Sequence, residues 1–139
     1  MSRKILIVDD NQDNLMIMQK VLESRGFTVQ VAQSGPEALA QTERDVPDLI
    51  LLDVMMPKMN GLEVLERLKA SHATSKVPVI MVTAKVQDED VMRGYQFGAD
   101  YYITKPCTAD QLMYGIGLVL GRTDTGEKAA DPAKGEVAS

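Results

Sequence analysis

The sequence predicts a doubly wound α/β fold, a single parallel sheet of five strands with helices on both faces and right-handed crossovers between them. Three observations predict it. Short apolar runs recur five times along the 139 residues, each followed by a segment of helical character. Three of the five runs are nearly unbroken Ile, Leu, Val and Met, the composition of strands covered on both faces. The polar residues with distinctive chemistry stand directly after those runs, at what would be the carboxyl edge of the sheet.

The first strand is "KILIV" (4–8). A helix over 13–25 follows, with Leu15, Met18 and Leu22 at helical spacing and Gly26 to end it. "TVQVA" (28–32) alternates in polarity, as a strand near a sheet edge does. In "SGPEALAQTERD", Ser34 caps the second helix and Pro36 sits in its first turn. "DLILL" (48–52) is the third strand, and "NGLEVLERLKAS" carries a Leu62, Leu65, Leu68 stripe for the third helix. "VPVIMV" (77–82) is the fourth strand. Residues 87–98 form a fourth helix with acids in the first turn and Gly98 at the end, weakened by Gly94 inside it. "YYIT" (101–104) is the fifth strand, and 109–121 the fifth helix, striped by Leu112, Ile116 and Leu120. The folded domain therefore spans 1–122. Residues 123–139 lack periodicity and are expected to form a disordered tail or linker.

Composition narrows the function classes. A net charge of −5 and a pI near 4.8 argue against direct nucleic-acid binding. Aromatics are 4% with no Trp, so the core must be aliphatic, with nine Met to fill gaps. The single Cys107 excludes an intramolecular disulfide and suits a reducing compartment. No apolar run approaches the roughly 20 residues of a membrane span, and the run at the N-terminus is too short for a signal peptide. A cytoplasmic protein without membrane contact is expected.

Asp9 and Asp10 follow the first strand, Asp53 the third, Thr83 the fourth, and Lys105 with Pro106 the fifth. Three carboxylates at one sheet edge repel one another and lose hydration beside an apolar core. A hard divalent cation removes that repulsion, and Mg²⁺ takes oxygen ligands while keeping several waters. A remaining carboxylate oxygen can then attack a phosphoryl group. The cation and the Lys105 ammonium would balance the charge on that group, with Thr83 as a donor to it. Taken singly, each residue has an ordinary reading: Asn11 or Asp13 caps a helix, Asp53 belongs to a turn before Pro57, Thr83 ends a strand, and Lys105 is solvated. Their recurrence at the same end of successive strands favours a site. His72 lies in a polar helix end and is expected at the surface. Cys107 is expected to pack rather than react, since no His accompanies it.

"ILIVDD", "DLILLDVMMPKMNG", "VIMVTA" and "YITKP" together resemble the receiver domain of two-component response regulators, over about residues 3 to 121. The resemblance implies a flavodoxin-like sheet of order 2-1-3-4-5 with five helices. It implies that Asp53 is the phospho-acceptor and that Mg²⁺ (or Mn²⁺) is held by Asp10, Asp53 and the backbone carbonyl of Met55, with Asp9 acting through water. Thr83 and Tyr102 match the switch pair, Lys105 the phosphate-binding lysine, and the Lys105–Pro106 bond would be cis. The implied partners are a sensor histidine kinase or histidine phosphotransfer protein as donor, and a downstream target protein or effector domain. The implied output surface is built from the fourth helix, fifth strand and fifth helix, with Met92, Tyr95, Met113 and Tyr114 as contact candidates and room for a weak homodimer. The chemistry would be confined to the protein's own phosphorylation and dephosphorylation, without turnover of other substrates. Met55 and Lys85 stand where family members tune hydrolysis of the acyl phosphate, and an apolar Met55 implies a slow loss. A phosphatase with an Asp nucleophile would want an acid at position 55. A flavin module would want Ser, Thr and Gly, not Asp9 and Asp10, after the first strand. Receivers that head cyclic-di-GMP synthases and single-domain receivers are equally consistent with "DVPDLILLDVMMPKMNG".

Overall fold

The computed structural model describes residues 3–54, 60–83, 95–96, 98–105 and 107–125, with the side chains of 83 and 122–125 outside that description. Five strands form one parallel sheet: β1 (Lys4–Val8), β2 (Thr28–Ala32), β3 (Leu49–Leu52), β4 (Val79–Thr83) and β5 (Tyr101–Thr104), in the order β2-β1-β3-β4-β5. Among the described residues four helices cross over it: α1 (Gln12–Ser24), α2 (Gly35–Arg44), α3 (Gly61–Ala70) and α4 (Ala109–Thr125). The predicted helix over 87–98 lies mostly outside the described residues. Within it, Tyr95 and Gln96 are helical and Gly98 has φ +110°.

Strand periodicity divides the core in two. Leu6, Val8, Ile50, Leu52, Val79 and Met81 point to the face covered by α2 and α3, where Ala38, Leu62, Val64, Leu65 and Leu68 meet them. Ile5, Ile7, Leu49, Leu51, Ile80, Val82, Tyr101 and Ile103 point to the other face, covered by Leu15, Met18 and Leu22 of α1 and Leu112, Ile116 and Val119 of α4. Central strands must therefore be apolar at every position, which is the origin of their unbroken runs. The alternating β2 is an edge strand, partly exposed along most of its length.

Local signals set the helix ends. Asn11, Ser34 and Asn60 each adopt extended backbone and accept a side-chain hydrogen bond from the N–H three residues on. Asp13 is in the first turn of α1 rather than at its cap. After α1, Gly26 takes φ +93°, a conformation natural to glycine. Two boundaries differ from expectation by more than one residue. β4 begins at Val79, after Pro78, which has no N–H to give to a ladder. α4 continues to Thr125, four residues beyond the end expected at 121.

Candidate functional site

The site forms because β1 and β3 are neighbours at the point where the strand order reverses. Val8 pairs with Leu52, and the residue after each strand is an aspartate. The Asp53 N–H donates to the Val8 carbonyl at 2.9 Å, and the Asp9 N–H to the Ala32 carbonyl at 3.1 Å, so the sheet's hydrogen bonding carries on past the strand ends. The two carboxylates are thereby held at the sheet's edge, 1% and 6% exposed for Asp9 and Asp53. Asp10 is exposed. One carboxylate oxygen from each of the three lies within 4.8 Å of the other two.

Lys105 arrives from the end of β5. Its Nζ donates to Asp9 Oδ2 at 2.6 Å and to Asp53 Oδ2 at 3.3 Å. Burial pulls the ammonium's pKa down. The hydrogen bond to Asp9 and the charges of Asp53 and Asp9 outweigh it and leave the lysine above its ordinary value. The other oxygen of Asp9 accepts the Asn11 N–H at 2.9 Å. Asn11 is a residue whose second role spacing does not reveal: it caps α1 with its side chain and steadies Asp9 with its backbone.

The donor set fits a small hard cation. It is all oxygen, and ligand oxygens about 2.0–2.1 Å from an octahedral ion lie roughly 3 to 4 Å apart, a separation within the 4.8 Å that bounds these carboxylate oxygens. The exposed Asp10 faces the solvent from which a partly hydrated ion would keep its waters.

The structure brings together Asp9, Asp10, Asp53 and Lys105. Thr83 is the last residue of β4 and pairs with Thr104, next to Lys105. Met55 and Pro106 lie outside the described residues, and with them the predicted cis bond. Tyr102 is partly buried against the α3 side of the core, its ring 6.1 Å from that of Tyr95 and tilted by 55°. Among the surface candidates, Tyr114 is 55% exposed, and Met113 is partly buried against the core under α4. Met92 is outside the described residues. His72 is exposed, as expected, and Cys107 is partly buried, its thiol pushed up by burial against the pull of Lys105.

The sequence matches the response regulator receiver domain family over residues 5–116. The chain belongs to that family. Receiver domains of two-component response regulators are signalling regulators in phosphorelays rather than enzymes that turn over a substrate. The chain is 36% identical over 137 residues to the alkaline phosphatase synthesis transcriptional regulatory protein PhoP of Bacillus subtilis, covering 99% of this chain and 56% of that one. It is 42% identical over 125 residues to the transcriptional regulatory protein CpxR of Klebsiella pneumoniae, covering 90% and 52%. This receiver thus spans about half the length of these curated relatives. Among solved structures, a CheY-like receiver domain protein from Methanospirillum hungatei superposes with a TM-score of 0.86 at 32% identity, covering 91% of this chain and 99% of that one. The chemotaxis protein CheY4 of Vibrio cholerae gives 0.83 at 28%, covering 86% and 99%. Among the described residues no helix is long and apolar enough to cross a membrane.

Proposed function

We propose that this receiver accepts a phosphoryl group on Asp53 from a phosphohistidine of a sensor histidine kinase or histidine phosphotransfer protein. The observation that carries the reading is the meeting of three carboxylates with one lysine at a switch point, where Asp9 is already occupied by the protein itself. With one Asp9 oxygen taken by the Asn11 N–H and the other by Lys105, Asp10 and Asp53 are the acids best placed to ligate an ion. Mg²⁺ or Mn²⁺ would be held by Asp10, Asp53 and the Met55 carbonyl, with Asp9 ordering its water shell. Its chemistry there is to neutralise oxygens of the phosphoryl group in flight.

An Asp53 oxygen attacks phosphorus, the bond from phosphorus to the histidine nitrogen breaks, and the nitrogen keeps the electron pair. Lys105, already 3.3 Å from Asp53 Oδ2, moves with little displacement onto the new phosphoryl oxygens. Thr83, at the end of β4, donates to another. Tyr102 follows Thr83 inward, and the face formed by 87–98, β5 and α4 passes from one state to another. That face then engages a downstream partner or an effector domain, or a second receiver in a weak homodimer. The curated relatives are named as transcriptional regulators, so an effector domain that acts on transcription is one such output. The acidic receiver itself has no charge suited to nucleic acid, and it works in the cytoplasm.

The test is phosphorylation by acetyl phosphate or a phosphohistidine protein with Mg²⁺, followed by intact mass. One added phosphate is expected on the wild type and none on Asp53→Asn. With beryllofluoride and Mg²⁺, amide shifts are expected at Thr83, Tyr102 and Lys105. An Asp53→Asn protein that labels like the wild type overturns the assignment.

A further inference from the structure

After Asp53 and Val54 the chain comes back to begin α3 at Gly61, and the return is close. The Gly61 N–H donates to the Val54 carbonyl at 2.9 Å. A Cβ on Gly61 would strike the Asp53 carbonyl oxygen and lie 2.7 Å from Val54 Cα and 3.0 Å from the Asp53 carbonyl carbon. All three obstacles are backbone, so no rotamer change relieves them. The glycines of α4 differ. Gly117 and Gly121 have nothing within 4 Å, and Gly115 would meet only the side chains of Ile103 and Tyr101. Nor does backbone conformation ask for glycine at 61, since among the described residues positive φ belongs to Gly26 and Gly98. Helix propensity favours alanine there. The remaining reason for a glycine is proximity to the acceptor's own backbone.

We infer that Gly61 is a positioning residue for Asp53: its missing side chain lets the first turn of α3 lie against residues 53–54, and its N–H ties that backbone in place. The inference rests on the reading of Asp53 as the acceptor. A methyl group at 61 pushes the Asp53 backbone outward, and the carboxylate moves relative to Asp9, Asp10 and Lys105. The loss then falls on the transfer step and on ion affinity, because both need the carboxylate oxygens in register, and not on capture of a small donor.

The experiment compares the whole chain as wild type, Gly61→Ala and, as control, Gly117→Ala. Acetyl phosphate with Mg²⁺ supplies the phosphoryl group, intact mass follows its gain, and amide NMR follows a Mg²⁺ titration. In Gly61→Ala the maximal rate should fall on the order of 10- to 100-fold while the half-saturating donor concentration changes less than about 2-fold, as a displaced reacting atom predicts. Mg²⁺ affinity should fall with it, and Gly117→Ala should match the wild type. A Gly61→Ala protein with wild-type rate and Mg²⁺ affinity overturns the inference and leaves the acceptor assignment standing. A wild type that gains no phosphate, or an Asp53→Asn protein that gains as much, overturns both. If Gly61→Ala does not fold, hydrogen exchange of the wild type decides: the Gly61 amide should be protected at least about 10-fold relative to an open amide, and an unprotected one overturns the inference.

Discussion

At the scale of single residues, Lys105 governs the electrostatics of the site. Asp9 is 1% exposed, and a buried carboxylate without a counter-charge would be strongly unfavourable. The 2.6 Å contact to Lys105 supplies that charge, so Asp9, the buried member of the acid pair after β1, is compensated by the protein itself. The presence of Asp9, Asp10, Asp53 and Lys105 at strand ends is visible in the sequence, because the apolar runs point to them. The distances are not: that Lys105 is nearer to Asp9 than to Asp53 depends on how β5 ends, 96 residues along the chain from Asp9. The position two after Asp53, the proposed acceptor, is Met55, which has no polar group with which to orient an attacking water. The phosphorylated protein is therefore expected to decay slowly. Labelling followed by EDTA and a time course of intact mass checks this, and loss within seconds contradicts it. Lys105→Ala should label more slowly than the wild type, by roughly 100- to 1000-fold, the range for losing one donor that stabilises charge in a transition state.

At the scale of elements, the two ends of the sheet are held by different chemistry. The site end is acidic. At the opposite end, Lys4 Nζ donates to Asp45 Oδ1 at 2.5 Å, and Gln30 Nε2 to Asp45 Oδ2 at 2.9 Å, tying β1 and β2 to the residue after α2. The bond from Lys4, then that from Gln30, holds the Asp45 carboxyl below its ordinary value of 3.8. A carboxyl with a depressed folded pKa stabilises the fold above its unfolded pKa, and that contribution is lost as pH falls through the folded value. Asp45→Asn should therefore be less stable than the wild type at pH 7. The difference, read from urea midpoints, should close as pH drops below 3.8. Element positions were largely legible from sequence because a buried parallel strand and an amphipathic helix leave different periods. The helix predicted over 87–98 has the weakest signal, since Gly94 interrupts its pattern. The end of α4 was also obscure, because the residues after its stripe are polar and carry no periodic signal.

At the scale of the whole molecule, a parallel sheet of this order gathers residues far apart in sequence at one edge, and the proposed ion site there would link stability to binding. An ion that binds only the folded site adds RT ln(1 + [L]/Kd), about 2.7 kcal/mol at 100 times Kd. Mg²⁺ is expected to raise the urea midpoint of the wild type above that in NaCl of equal ionic strength, and chelation should reverse it. Asp10→Asn should lose most of the gain; a full gain in that variant contradicts its place as a ligand. The sequence by itself determined the fold class, the order of elements and the acidic, lysine-bearing edge. Each of these follows from local periodicity and from which residue comes next after a strand. Only the tertiary structure decided that Lys105 neutralises Asp9, that Asn11 steadies it, that Met113 is partly buried while Tyr114 is exposed, and that Gly61 lies against the Asp53 backbone. Those facts depend on distances between elements and on which way each strand and helix turns its side chains. Packing of the two core layers sets both, and no short stretch of sequence records them.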